Sequence, residues 1–108
     1  MPTRFAAAAA FLMGIVVAVS AATTIRVGQH GMMFTQTSAS LAKGDLIVFT
    51  NEDDVIHNIH IFGPGNDESM DLGLQKPLAT LSYKFDKVGA YRVRCNIHPS
   101  VKMAVTVR

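Results

Sequence analysis

The feature that most constrains the fold is a succession of short β-forming runs that fills the chain after Ala22. Each run is rich in β-branched and aromatic residues and is bounded by glycine, proline, asparagine or aspartate, which is the pattern of strands separated by turns. In the last run, 101–107, apolar residues at odd positions alternate with polar or small residues at even positions. No window after Ala22 has the 3.6-residue period of an amphipathic helix.

The number and spacing of these runs indicate two packed sheets. Strands are expected at 24–27, 33–35, 46–50, 57–62, 80–85, 91–95 and 101–107. The polar segment 66–77 has too little periodicity to assign, and we expect a loop there. About seven to eight short strands at this spacing predict an all-β protein with a Greek-key β-sandwich architecture.

The N-terminus has the three parts of a secretory signal peptide. A basic start with Arg4 is followed by an uncharged apolar run from Phe5 to Val19 and by the small residues Ser20-Ala21-Ala22. An uncleaved membrane anchor is the weaker alternative, because a bilayer span needs about 20 apolar residues. We therefore expect a signal peptide over 1–22, one domain over 23–108, and a periplasmic or secreted protein.

Charge and cysteine content narrow the function further. The formal net charge is only +2 and the basic residues do not cluster along the sequence, which argues against a nucleic-acid surface. Cys95 is the single cysteine, whereas exported proteins normally use cysteines in pairs as disulfides. A lone cysteine indicates an intermolecular bridge or a thiol retained for its chemistry.

Two histidines are spaced so that they could bind a metal ion together with that thiol. Cys95 and His98 are three residues apart where a strand ends, and His57 opens another strand about forty residues earlier. In a small sandwich, a strand start and a distant loop can meet at one end, and two imidazoles with one thiolate form the ligand set of copper electron-transfer sites. Structural zinc sites usually need four strong ligands, and nothing indicates the cleft and orienting residue of a cysteine protease.

Further motifs extend the pattern over the whole chain after residue 22. They are Lys43-Gly44-Asp45, Phe49-Thr50-Asn51, His57-Asn58, Gly89-Ala90-Tyr91, Cys95-Asn96-Ile97-His98-Pro99 and Val105-Thr106-Val107. Together these motifs resemble the cupredoxins, in particular the small amicyanin-like and plastocyanin-like blue copper proteins.

The resemblance implies a function and a set of roles. It implies one copper ion per chain, cycling between Cu(I) and Cu(II), in an electron carrier that is not an enzyme and has no small-molecule substrate. His57, Cys95 and His98 would hold the copper, and Asn58 would link the two segments that carry them. Redox partner proteins would dock near His98, where Pro99 and Ile97 lie in the same loop. We expect a monomer.

The axial copper position has two candidates. Counting forward from His98, Met103 has the longer, plastocyanin-like spacing. Counting back from the closing Val-x-Val strand, the position falls on Val101, which is not a ligand. Alternation places both side chains inward, and two residues along a strand span about 6.6 Å, so only one of them can occupy the position. We favour Val101, and Met103 is then a core residue.

The remaining histidines are weaker candidates. Strand alternation places His60 on the face opposite to His57, and His30 is expected in a loop between two glycines. Met33 is expected to fill the core. Two other functions stay open at this point: a copper-trafficking or storage protein, which would release Cu(I) to an acceptor, and a metal-free binding module.

Overall fold

A computed structural model describes Gly14, Ile15 and residues 21–108 of the 108-residue chain. The expected signal peptide, 1–22, thus lies almost wholly outside the described residues. In the described part of the chain, no helix is long and apolar enough to cross a membrane. That part forms nine strands: β1 (Thr24–His30), β2 (Met33–Phe34), β3 (Ser38–Leu41), β4 (Leu46–Asn51), β5 (His57–Phe62), β6 (Ser69–Gln75), β7 (Thr80–Lys84), β8 (Gly89–Arg94) and β9 (Lys102–Val107).

The strands form two mixed sheets, which confirms the predicted all-β sandwich. One sheet has the order β2-β1-β4-β7 and the other β3-β9-β8-β5-β6. Most neighbours are antiparallel, but β1 pairs with β4 and β3 pairs with β9 in parallel. Strands adjacent in a sheet are therefore often distant in sequence, as a Greek-key arrangement requires.

The core lies between the sheets and follows the predicted alternation. Along β9, the side chains at odd positions are buried and those at even positions are exposed. In β4, Ile47 and Phe49 are fully buried. Ring contacts between Phe34 and Phe49 and between Phe85 and Tyr91 help to fill the interior.

Two of the nine strands, β3 and β6, lie outside the seven ranges expected from the sequence, and both are at sheet edges. β3 is only four residues long and has small side chains at three of them, so its pairing with β9 defines it rather than a sustained apolar pattern. β6 occupies part of the expected loop 66–77 and exposes most of its residues. Its pairing with β5 is interrupted by a register shift between Ile59 and His60. The shortness of β3 and the exposure of β6 explain why the sequence pattern did not reveal these strands.

The two ends of the sandwich differ in their loops. At one end, the motif Lys43-Gly44-Asp45 forms a turn: Gly44 has φ +94°, a conformation that glycine adopts without strain. The Asp45 carboxylate accepts hydrogen bonds from the backbone of Thr23 and Ala42. At the other end, β5 begins and the β8–β9 loop (residues 95–101) connects two strands. We call this the β8–β9 end.

Candidate metal centre

His57 is the first residue of β5, and its imidazole is fully buried. Its Nδ1 atom lies 3.7 Å from Cys95 Sγ. Its other nitrogen, Nε2, lies 2.8 Å from Asp53 Oδ2. The ring therefore has a fixed orientation, with Nδ1 directed toward the cysteine.

Cys95 directly follows β8 and is also buried. The backbone N–H of Asn58 donates a hydrogen bond to Sγ over 3.3 Å. A donor of this kind suits a negatively charged thiolate as acceptor. The thiol is thus held at the junction of β5 and the β8–β9 loop.

His98 lies in the β8–β9 loop and is only partly buried. Its Nδ1 is 3.8 Å from Cys95 Sγ and 3.1 Å from His57 Nδ1. The two imidazole rings meet edge to face, with centroids 4.8 Å apart. The structure therefore brings together the three residues that the sequence selected, with His98 nearest to solvent.

The three donor atoms fit a single metal ion. Each residue offers one ligand atom, and these atoms lie within 4.8 Å of one another. Bonds of about 2 Å from nitrogen and about 2.3 Å from sulfur, spread at roughly 120°, place the donors about 3.5–3.7 Å apart, close to the distances between these side chains. Two imidazoles and one thiolate in a trigonal arrangement are the donor set of copper electron-transfer sites.

Asn58 links the two segments that carry the donors, as the resemblance implied. Its Oδ1 accepts a hydrogen bond from the backbone N–H of Asn96 over 2.5 Å. Its Nδ2 donates to Asp71 Oδ1 over 2.9 Å. The side chain next to His57 therefore positions the loop next to Cys95, a contact that holds candidate ligands in place before a metal binds.

Asp53 is a member of the site that sequence reasoning missed. Its carboxylate accepts the hydrogen bond from His57 and further hydrogen bonds from the backbone N–H groups of Gly31, at 2.7 Å, and Met32, at 3.0 Å. Burial acts to raise the pKa of Asp53, but the hydrogen bonds from these groups outweigh it and hold the pKa below its usual value. The carboxylate is therefore a fixed negative charge behind His57.

Two of the three members of the acidic turn Glu52-Asp53-Asp54 are solvated. Glu52 and Asp54 are exposed, whereas the Asp53 side chain retains only 12% of its exposure. Apart from its place in the chain, nothing in a run of three acidic residues singles out the middle one. Its position four residues before a candidate ligand is the single hint, and the turn geometry decides the rest.

The other histidines lie outside the cluster. His60 is on the outer face of its sheet, as expected, where it stacks on Phe62 and contacts the Asn96 side chain. His30 is the last residue of β1 rather than a loop residue. Met33 is 53% exposed and its neighbour Phe34 is buried instead, so the expectation that Met33 fills the core is wrong.

The two axial candidates occupy different levels of the same buried face. Val101 is fully buried and lies opposite the cysteine, since the Cys95 N–H donates to the Val101 carbonyl over 2.9 Å. Met103 is also buried, but it pairs with Val93, one step deeper into the sandwich.

Comparison with known proteins agrees with this geometry. Residues 21–108 match the family of copper binding proteins described as the plastocyanin/azurin family. Amicyanin-alpha of Methylorubrum extorquens is 30% identical over an alignment of 108 positions, which covers 95% of this chain and 89% of that protein. The chain therefore belongs to the plastocyanin/azurin family of copper binding proteins.

Solved structures show the same fold. The reduced state of an amicyanin mutant superposes with a TM-score of 0.71 at 23% identity, covering 79% of this chain and 82% of that one. An oxidized amicyanin mutant gives a TM-score of 0.70 at 23% identity, covering 78% and 81%. With the family established, the chain is a mononuclear copper protein that carries single electrons between redox partners and transforms no substrate of its own.

Proposed function

We propose that His57, Cys95 and His98 are the copper ligands of an exported one-electron carrier. The observation that carries the proposal is the convergence of two Nδ1 atoms and one Sγ atom on a single point. Bound copper would supply a one-electron couple. The protein would supply a cage whose ligands are already close to their final positions.

Rigid support of the ligands favours rapid electron transfer. Asp53 holds the His57 ring from behind, and Asn58 joins β5 to the β8–β9 loop. Both contacts are made by the protein itself, so they would support the ligands in both oxidation states of the ion. A fixed site reorganises little when an electron arrives or leaves, which lowers the barrier to transfer.

The β8–β9 end supports docking of redox partners near His98. Ile97 is 48% exposed and Pro99 is exposed beside the partly buried His98. More exposed apolar side chains belong to the loops and strands that reach this end: Val55, Ile56, Leu74 and Leu78. Apolar side chains grouped in this way are typical of interaction surfaces, and a partner placed here would lie next to the most accessible candidate ligand.

We further propose that Val101 occupies the axial position and that Met103 is a core residue. Directly opposed residues in an antiparallel pair have Cβ atoms about 5 Å apart, whereas diagonal neighbours are about 7–8 Å apart. Val101 is the residue opposite Cys95, and Met103 is the diagonal one. The site would then lack a thioether ligand.

The export and monomer proposals are supported by the sequence. The apolar run from Phe5 to Val19 behind Arg4, followed by small residues, supports cleavage near Ala22 and a periplasmic or secreted location. The buried position of Cys95 disfavours an intermolecular disulfide, which supports a monomer.

A visible absorption titration tests the ligand assignment. Adding Cu(II) to the purified protein should produce an intense thiolate-to-copper charge-transfer band that disappears on reduction. Cys95→Ser should abolish the band, and His57→Ala should weaken or abolish binding. An unchanged band in Cys95→Ser would refute the assignment. A protein that passes Cu(I) readily to a chelator but exchanges electrons slowly would instead be a copper-trafficking protein.

A further inference from the structure

The outer face of β8 and β9 carries three cations side by side. Arg92, Arg94 and Lys102 are all exposed. Arg94 lies directly opposite Lys102 in the antiparallel register, and Arg92 is two residues along the same strand, about 6.6 Å away. Eight positions separate Arg94 from Lys102 in the sequence, so the cluster is created by strand pairing.

No acidic side chain of the described residues forms an ion pair with any of these three cations. Lysines at the opposite end differ, since Lys84 and Lys87 each contact a carboxylate. The acidic residue on this face is Asp71, in the edge strand β6, and its carboxylate accepts hydrogen bonds from Asn58 and Gly73. Like charges opposite each other in a sheet are destabilising, so a face of this kind indicates a role outside the fold.

The cations border a groove and connect it to the candidate metal centre. A groove of about 450 Å³ between β2 and β9 has Met33, Phe34 and Met103 among its apolar lining and all three cations at its sides. A second depression of about 300 Å³ is lined by Arg94, Cys95, Asn96, Pro99 and Lys102. The basic surface therefore continues without interruption to the β8–β9 loop.

Arg94 has a defined place on this surface. Its guanidinium carbon lies 5.6 Å from the centre of the Phe62 ring, and Phe62 stacks on His60. A cation held over an aromatic ring keeps its charge exposed while losing part of its conformational freedom. The positive charge is thus presented in a fixed direction.

We propose that this basic face, made of Arg92, Arg94 and Lys102, is the docking surface for a redox partner protein with an acidic patch. The inference rests on the proposed electron-carrier function and specifies the partner. Complementary charges on two proteins speed their association and fix the orientation in which they dock. The formal net charge of the chain is only +2, so the steering arises from the local arrangement of charge.

A protein fits this surface better than a nucleic acid. Duplex DNA presents one charge per about 1.7 Å, which calls for a longer basic stripe than three side chains on two strands. Arg94 and Lys102 also share a depression with Pro99, which is exposed beside His98. A cationic rim next to an apolar patch matches the usual composition of a protein–protein interface.

Small redox reagents of opposite charge test the electrostatics of this face. In stopped-flow experiments on the copper-loaded protein, hexacyanoferrate(III) takes one electron from Cu(I), which gives Cu(II) and iron(II). At about 10 mM ionic strength, the double variant Arg92→Gln/Lys102→Gln should lower this second-order rate constant about tenfold. The difference should fall below about twofold at 0.5 M salt, where screening is strong.

Matched controls separate local charge from total charge. Lys43→Gln/Lys84→Gln removes the same two charges at the opposite end and should change the rate by less than about twofold. With the cationic oxidant tris(phenanthroline)cobalt(III), Arg92→Gln/Lys102→Gln should be faster than the parent protein. Equal effects of the two double variants, or no effect of either, would overturn the proposal.

A macromolecular probe tests docking itself. Amide chemical shifts of the diamagnetic Cu(I) protein are recorded while a poly-glutamate peptide is added. Shifts concentrated at 92–94 and 102–104, and lost in Arg92→Gln/Lys102→Gln, support an acidic protein partner. Shifts confined to other strands refute it, as does binding to phosphatidylglycerol vesicles with none to the peptide. Failure of the proposed function would give a different result, because the protein would then show no charge-transfer band and would exchange no electrons with either reagent.

Discussion

Replacing Asp53 by asparagine removes a negative charge from behind His57 while retaining a hydrogen-bond acceptor. In the native chain, the carboxylate oxygen lies 2.8 Å from Nε2, and the opposite ring nitrogen faces Cys95. A carboxylate in this position raises the basicity of a ligating imidazole and favours the more positively charged metal. Asp53→Asn should therefore raise the reduction potential of the copper site.

The size of this shift follows from the geometry. Adding the width of the imidazole ring and a metal–nitrogen bond of about 2 Å places the charge roughly 7 Å from the ion. Two unit charges at that distance interact by about 2.4 kcal/mol at an effective dielectric constant of about 20. For a one-electron couple this corresponds to about 100 mV. Because 12% of the Asp53 side chain remains exposed, water screens part of this interaction. We therefore expect the reduction potential to rise by about 50–100 mV.

Spectroelectrochemical titration of the charge-transfer band measures the potential directly. Asp54→Asn is the matched control, because Asp54 is adjacent, equally charged and exposed, and it should shift the potential by less than about 20 mV. Asp53→Ala removes the acceptor as well and should weaken copper binding about 10–100-fold. If Asp53→Asn keeps the band but leaves the potential within about 20 mV of the parent, the carboxylate does not act on the copper through His57.

Three further predictions concern the axial position, metal-linked stability and a buried tyrosine. Val101→Met should lower the potential and alter the visible spectrum, while Met103→Leu should leave both unchanged and cost under about 1.5 kcal/mol; a copper–sulfur distance near 3 Å from Met103, by X-ray absorption, would contradict this. Copper should raise the melting temperature, because binding at a free copper concentration a thousandfold above Kd adds about 4 kcal/mol to the free energy of unfolding. If calorimetry shows no change in melting temperature with Cu(I) or Cu(II), the folded protein has no copper site. Tyr91 donates to the Lys87 carbonyl over 2.6 Å, so Tyr91→Phe should cost about 1 kcal/mol in denaturant unfolding. Burial and, after it, nearby charges raise the pKa of Tyr91 in the folded protein. The unfolded chain therefore loses the tyrosine proton first, and the free energy of unfolding falls as pH rises above about 10. An equal fall in Tyr91→Phe would show that Tyr91 is not its source.

Much of the fold was predictable because local pattern and burial agree. In β9, the alternation of Met103, Val105 and Val107 with polar or small residues matches the buried and exposed faces. Turn residues such as Gly44 mark real turns, since their backbone conformation is a local property. β3 and β6 were not predictable because β3 is only four residues long and β6 is mostly exposed, and only pairing with β9 and β5 makes them strands.

The candidate site was predictable in its donors but not in their support. Cys95, His98 and His57 are residue types whose chemistry singles them out, and their strand positions bring them to one end. The role of Asp53 depends on how the acidic turn folds against the backbone of Gly31 and Met32. That contact joins segments more than twenty residues apart, so it has no local signature.

By itself, the sequence determined the strand-rich fold, the donor set and hence the copper chemistry, because periodicity and side-chain chemistry are properties of short segments. Tertiary structure alone decided which acid stands behind His57, which residue lies opposite Cys95, and that Arg94 and Lys102 share one basic face. Those outcomes depend on strand register and turn geometry. A shift of one residue in the register of a strand would carry all of its side chains to the opposite face of the sheet.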